Sequence, residues 1–436
     1  MFGHCINLEA PLFFFGTKVA KYYTAFSHDC LINMKGERKM IFPLEGIKVL
    51  DLSRNAPGPL CTMILGDYGA EVIKILEAPG ARAKSRGTTA DIPGASTADF
   101  IWKTMERNKR SMFLNLKSSE GKEVFFDLVK RADVVVTEFG VGTAERLGIG
   151  YDVLKEHNPA IICCAISGYG QTGPSCKIPG HDLNYIAATG ILDRMRDERG
   201  KPVMPLNLLA DYTGGGMHAA LGVLLALVSR SKTGKGQYID CSMADGVLLS
   251  SCGYIDFAYG KGESSEALMQ LLSNNAPFYN VYETSDGQYL AVGANEPWFW
   301  ANLVTAMGHE EFIPLQWDYA RWPEIKKTLA DLFKSDTRDY WYDKLVQVNT
   351  CISKLATLDE IKHESHFKER GSIVDVKYPG HDEVISQVGI TLKFSDAKGE
   401  IRTAPPIPGE HTEAVLKELG YSDQRIAELH GTDAFF

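Results

Sequence analysis

Residues 44–75, LEGIKVLDLSRNAPGPLCTMILGDYGAEVIKI, decide the fold. GIKVLDLS is an apolar run bounded by glycine and serine, RNAPGP carries turn chemistry, LCTMILGDYGA is a helical stretch, and EVIKIL is a second apolar run. Strand, turn, helix and strand in that order make a βαβ start. The pattern continues outward. GKEVFFDLVKRA (121–132) predicts an amphipathic helix feeding the strand DVVVTEF (133–139). AIICCAISG (160–168) is a continuous apolar strand of the kind covered on both faces in a parallel sheet. GGGMHAALGVLLALVSRSKTGKG (214–236) predicts a glycine-led helix ending in a basic turn, followed by the strand QYIDCSM (237–243). This first lobe is α/β.

Beyond it, residues 255 to 375 form a distinct lobe, with FYNVYET (278–284) and QYLAVGA (288–294) paired through an SDG turn and then helices rich in Trp, Lys and Asp. RTAPPIPGEHTEAVLKELGYS (402–422) is a proline-rich connection into a terminal helix, with Glu410 or Thr412 as its cap. The expected organisation is an extension at 1–40, a large α/β domain at 41–250 with 376–436, and a small α+β domain with linkers at 251–375.

With 436 residues, the chain is long enough for two lobes. Its 44% hydrophobic and 23% charged residues are those of a soluble globular protein. A net charge of −9 gives no overall attraction to nucleic acid or anionic lipid, so a polyanionic ligand needs a local basic cluster. No uninterrupted apolar stretch approaches the roughly 20 residues that cross a bilayer. Nine cysteines, with no CxxC pair, fit a reducing, intracellular setting, and Cys163 and Cys164 are expected as buried strand residues. The cytoplasm is the default location, with a mitochondrial or peroxisomal one open. Residues 1–40 read as a targeting segment or as a bland extension, and the terminal DAFF is not a peroxisomal tripeptide.

Four segments carry more polar and glycine residues than packing requires. They are PGHDLNYIAATG (179–190) with His181 and Asp182, NLLADYTGGGM (207–217) with Asp211, AVGANEP (291–297) with Glu296, and MERNKRSMFLNLK (105–117) with Arg107, Lys109 and Arg110. Each also has a structural reading: a helix cap for His181 or Asp182, an Asp211 that satisfies amides of a Gly214–Gly216 turn, a strand end for Glu296, a solvated loop for the basic stretch. His363 and His366 have helical spacing for two metal ligands but lack a third, and no metal or redox cofactor is expected.

The 44–75 stretch, NKRSMFLNLKSSEGK (108–122), ISGYGQTGP (166–174), GHDLNYIAATG (180–190), TGKGQYIDCSMADG (233–246) and GEHTEAVLKELGY (409–421) together resemble the family III CoA-transferase superfamily over nearly the whole chain from Leu44. GHDLNY, PLNLLADYTGGG (205–216) and APFYNVYETSDGQYLAVGANEP (276–297) resemble its α-methylacyl-CoA racemase branch. The resemblance implies a Rossmann-like large domain and an interlocked homodimer, with acyl-CoA as substrate and coenzyme A present only as part of that thioester. It also implies His181 and Asp211 as the two bases, Glu296 as the support of the histidine, delivered by the partner chain, and Arg146 of the ERLG segment on the coenzyme side.

Inverting a carbon next to a thioester requires a base on each face and stabilisation of the enolate oxygen, for which the Asp182 backbone N–H is expected. Arg107, Lys109, Arg110 and Arg146 are the expected partners of the coenzyme phosphates. Two other readings stand beside this one. In a CoA-transferase, Asp182 would be the nucleophile. In an inactive acyl-CoA-binding homologue the ligand would be kept without the chemistry. The chain departs from the racemase pattern at Leu76-Glu77, where a basic residue is usual and Arg82, Lys84 or Arg86 would substitute, and in the long 78–100 loop. It departs again at Ser273-Asn274-Asn275 and at Asn295.

Overall fold

A computed structural model describes residues 40–77, 103–197, 199–260, 275–378 and 384–435. The expectations about residues 1–39, the 78–100 loop with Arg82, Lys84 and Arg86, and Ser273-Asn274 lie outside the described residues.

Six strands form one parallel sheet: β1 (Lys48–Asp51), β2 (Glu71–Leu76), β3 (Lys109–Phe113), β4 (Val134–Thr137), β5 (Ile162–Ser167) and β6 (Tyr238–Ser242). Their spatial order is β3-β2-β1-β4-β5-β6, and every pairing is parallel. This is the doubly wound order, in which the strand order reverses between β1 and β4 and leaves a crevice at the carboxyl ends of those strands. The apolar runs alternate between two cores. Val49, Val134, Val136 and Cys164 face α1 (Pro57–Asp67), while Leu50, Val135 and Cys163 face α2 (Ser119–Val129). Burial on both faces is why the strands read as continuous rather than alternating hydrophobics. Cys163 and Cys164 point into opposite cores, where burial pushes the Cys163 thiol up to about 12, so neither supplies a thiolate at neutral pH.

Near the crevice stand α3 (Thr143–Leu147) on the α2 face and, on the α1 face, α4 (Asp182–Ala188), a π-helical segment Leu208–Met217 that runs into α5 (His218–Thr233), and α6 (Met243–Ser250). Gly214, Gly215 and Gly216 are therefore helical residues, as the glycine-led helix expected over 214–236 requires, and the alternative of a Gly214–Gly216 turn is not what forms. A Cβ on Gly214 would stand 2.5 Å from the Met243 carbonyl oxygen, and one on Gly216 2.7 Å from Leu60 Cδ2. The three glycines let α1 and α6 close onto the π-helical segment. Leu208–Thr233 is consequently one continuous helix of 26 residues, long and apolar enough to cross a membrane by length and composition. Reading uninterrupted apolar stretches missed it because Asp211 and the glycines break the run. Ala219, Ala220, Val223 and Ala226 bury one of its faces in the sheet core.

A three-stranded antiparallel sheet, β7 (Tyr279–Glu283), β8 (Tyr289–Gly293) and β9 (Ile352–Lys354), carries a separate core of Phe278, Trp300, Trp322, Phe333 and Trp341. Gly287, at φ +73°, supplies the left-handed position of the β7–β8 turn. The β10 (Ile373–Lys377) and β11 (Val384–Val388) pair leads back to the large sheet, where α7 (Thr412–Leu419) and α8 (Asp423–His430) pack beside α2. Neither Glu410 nor Thr412 caps α7. Thr412 instead accepts the Phe113 amide at 3.1 Å, and Glu410 accepts the Ile407 amide at 2.9 Å.

Candidate active site

A cleft of about 930 Å³ opens at the carboxyl ends of the central strands. Its walls include Asn55–Pro57 after β1, Glu138–Val141 after β4, Arg146 of α3, His181, Asn184 and Tyr185 of α4, and Asp211. The crevice required by the strand order and the residues singled out by chemistry therefore coincide.

His181 is the residue that caps α4, with extended backbone at φ −127°. The peptide linking Gly180 to His181 is held at both ends by the helix it introduces. The His181 N–H donates to Asn184 Oδ1 at 3.0 Å, and the Tyr185 hydroxyl donates to the Gly180 carbonyl. Tyr185 reaches there because residue 168 has no side chain: a Cβ on Gly168 would fall 2.2 Å from the tyrosine ring. The imidazole is exposed to the cleft. The Asp182 and Leu183 amides stand in the first helical turn, where no carbonyl of the helix itself can pair with them.

Asp182 follows directly but its side chain turns inward. It is 3% exposed, and its Oδ2 accepts the amides of Ala210 at 2.8 Å and Asp211 at 2.9 Å. Oδ1 is buried without a partner. This carboxylate ties the start of α4 to the start of the π-helical segment, and so sets the two bases of the sequence reading relative to one another. Asp211, the fourth residue of that segment, accepts from Asn207 Nδ2 at 3.2 Å. Burial raises its pKa above the usual aspartate value, the Asn207 hydrogen bond pulls it down, the neighbouring Asp182 raises it again and His181 lowers it. A π-helical turn at a chemically active residue is a recurring association.

The basic residues divide. Arg146 lies on the cleft wall and donates to Thr143 Oγ1 at 2.6 Å, with its remaining donors free to face solvent. Arg107 is 1% exposed, with a two-pronged ion pair to Asp67 at 3.0 and 2.6 Å and a further bond to the Val388 carbonyl, which fastens β11 to the end of α1. Lys109, with its side chain 0% exposed, is held by Asp51 at 3.1 Å and Glu106 at 2.9 Å. Arg110 grips Glu418 of α7 at 2.7 and 2.8 Å. None of these three lines the cleft. As arranged here they hold the fold together, and of the four basic residues expected to meet phosphate Arg146 is the one that lines the cleft.

Glu296 does not line this cleft. It precedes the helix Pro297–Ala306 in the small lobe, near Cys351. Among the described residues no cluster of three or more His, Cys, Asp or Glu is placed to share a metal ion.

Sequence reading passed over Glu138, although it stands at the end of the apolar strand DVVVTEF much as Glu296 stands at the end of AVGANEP. Its Oε2 accepts the amides of Arg54 and Asn55, each at 2.8 Å, and its Oε1 accepts Gly58 N–H at 2.5 Å. Burial raises its carboxyl above the ordinary range against the pull of those three amides.

The chain is similar over most of its length to known proteins. The human α-methylacyl-CoA racemase is 36% identical over 389 residues, covering 89% of this chain and 96% of that protein. A succinyl-CoA–L-malate CoA-transferase β subunit from Chloroflexus aurantiacus is 33% identical over 402 residues, covering 89% of this chain and 96% of its own. The crystal structure of a CAIB/BAIF family protein from Brucella suis superposes with a TM-score of 0.71 at 27% identity, covering 87% of this chain and 100% of that one. With the family model for CoA-transferase family III matching residues 44–412, the chain belongs to that family.

Proposed function

We propose that the protein is an isomerase that inverts the α-carbon of 2-methyl-branched acyl-CoA thioesters. The observation carrying this reading is that His181 and Asp211 line one cleft while the carboxylate of Asp182 is turned away from it. A family III transferase reaction needs a carboxylate free to attack the thioester carbon. Here Asp182 is buried and committed to two amides, whereas two proton-transfer groups face the cavity.

In one direction the imidazole of His181 removes the α-proton, the C–H electron pair moves into the thioester, and the negative charge collects on the thioester oxygen. The first-turn amides of α4 stabilise that oxygen. Asp211, carrying a proton, then returns one to the opposite face, and the reverse reaction exchanges the roles. Burial suits Asp211 to this duty because a carboxyl with a raised pKa keeps its proton more readily. Arg146 holds a coenzyme phosphate at the cleft wall. Coenzyme A enters as part of the substrate, and no other cofactor takes part.

The working form is a homodimer in which Glu296 of the partner chain supports His181. That assignment is favoured by the absence of Glu296 from the lining of its own chain's cleft. It is also favoured by the exposed apolar face of α5, where Leu221, Leu225 and Val228 are 48%, 61% and 54% exposed.

The test is incubation of a single epimer of a 2-methylacyl-CoA in deuterium oxide. The expected result is deuterium at the α-carbon and convergence of the two epimers without any acceptor acid, with both lost in Asp211→Asn. Transfer of coenzyme A to an added carboxylic acid through an adduct on Asp182, with no α-deuterium, would overturn the proposal.

A further inference from the structure

In sheets of this strand order, the loop after β1 and the helix that follows present free amides to a ligand's phosphate groups at the crevice. Here the chain fills that place itself. Glu138, the first residue beyond β4, reaches across the strand-order reversal and receives the Arg54, Asn55 and Gly58 amides on its two oxygens. The fit leaves no room for a side chain at residue 58: a Cβ there would lie 2.8 Å from Glu138 Oε1 and 2.1 Å from Ser53 Cβ. Asn55, Ala56 and Pro57, the residues so held, are cleft wall. Pro57 in turn abuts the segment that carries Asp211, since a Cβ on Gly215 would come within 2.7 Å of Pro57 Cβ.

We infer that Glu138 is a positioning residue for the ligand site: its carboxylate occupies the anion nest between β1 and α1, fixes Asn55–Pro57 as one wall of the cleft, and keeps ligand phosphates out of the crevice's inner end. Coenzyme phosphates must then bind on the α3 side, where Arg146 stands. This inference rests on the proposed acyl-CoA reading for the identity of the ligand, not for the geometry of the nest.

Glu138→Ala deletes a group whose size and charge acetate reproduces, so the test is chemical rescue read by binding. Titration calorimetry with coenzyme A is expected to show affinity about tenfold weaker in Glu138→Ala, from three backbone donors left without their anion. Acetate is expected to restore most of it, while chloride at the same ionic strength does not. A folded Glu138→Ala protein that binds coenzyme A like the native chain would overturn the inference. So would a loss of affinity that acetate leaves unchanged, because a general structural defect is not repaired by a small anion. Should Glu138→Ala fail to fold, the near-isosteric Glu138→Gln carries the test: KM for the thioester rises several-fold while kcat for α-deuterium exchange stays within about threefold, and an unchanged KM overturns it. A native chain that binds coenzyme A but exchanges no α-proton would defeat the racemase reading and leave the binding test of Glu138 intact.

Discussion

Gly246 on α6 faces the π-helical segment so closely that a methyl group there would sit 2.2 Å from the Gly214 carbonyl oxygen and 2.4 Å from Gly214 Cα. Both neighbours are backbone, so no side-chain rotation relieves the contact. Gly246→Ala must separate α6 from the segment by roughly 1 Å to reach ordinary van der Waals distance. Overpacking of this kind costs about 1–3 kcal/mol. Replacing glycine by alanine inside a helix returns about 1 kcal/mol. The net effect on stability is therefore small, and the variant is expected to melt only a few degrees below the native protein. The effect on chemistry is expected to be much larger. Asp211 lies three residues before Gly214 on the displaced segment, and a misplacement of about 1 Å lowers a reaction of positioned groups by about 10²-fold. That is about 2.7 kcal/mol in the barrier. Deuterium incorporation at the α-carbon, followed by NMR alongside a thermal melt and coenzyme A titration, separates the two effects. The expected pattern is a folded protein with near-native coenzyme A affinity and about 10²-fold slower exchange. Exchange within about threefold of native would show that the glycine contact does not hold Asp211, and would refute the reasoning.

Two further predictions concern pH. Burial would raise the Asp51 carboxyl, but Lys74 and Lys109, with the hydroxyls of Ser53 and Thr62, outweigh it and hold the group well below the ordinary range. A folded-state value below the unfolded one stabilises the fold above about pH 4 and loses that contribution as pH falls further. Lys109→Met should cost about 3 kcal/mol in urea melts at pH 7 and shrink the difference between pH 7 and pH 3; native stability at both would refute the assignment. For Asp211, whose pKa is raised, the direction in which it removes the proton requires the ionised form, so the acid limb of kcat/KM should lie above the ordinary value of about 3.9. Asn207→Ala removes the hydrogen bond that lowers that pKa and should move the limb upward in exchange profiles of the same epimer; an unmoved limb counts against the role.

How far the sequence speaks for the structure differs by residue, for physical reasons. The βαβ start and the strands at 133–139, 160–168 and 237–243 were legible because burial on both faces imposes uninterrupted apolar runs. His181 and Asp211 stood out because an imidazole and a carboxylate beside glycines are seldom needed for packing, whereas Arg146 came from the family resemblance alone; all three line the cleft. The triple glycine was placed correctly in a helix but taken as its start. Glycine is a poor helix former, and the close approach of α1 and α6 is what lets the helix run through all three from Leu208. Arg107, Lys109 and Arg110 resemble an exposed basic patch because charge runs usually are. Their partners Asp67, Asp51 and Glu418 lie 40, 58 and 308 residues away, and no local pattern reports such pairings. Glu138 was hidden for the same reason, since its partners are backbone amides some 80 residues upstream.

The core on the α2 face of the sheet is shared between early residues, Leu50, Met112 and Phe125, and late ones, Val415, Leu416, Ile426, Leu429 and Phe435. Arg131 seals the junction by donating to the Glu418 carbonyl, 287 positions further along. During synthesis, the first-made strands must therefore wait for the interval between these partners to be translated, about 15–60 s at ordinary elongation rates, with an apolar face uncovered. A nascent chain of this design depends on chaperone shelter during that interval, and loss of α7 and α8 alone should send it to aggregation or proteolysis even though the cleft residues remain present.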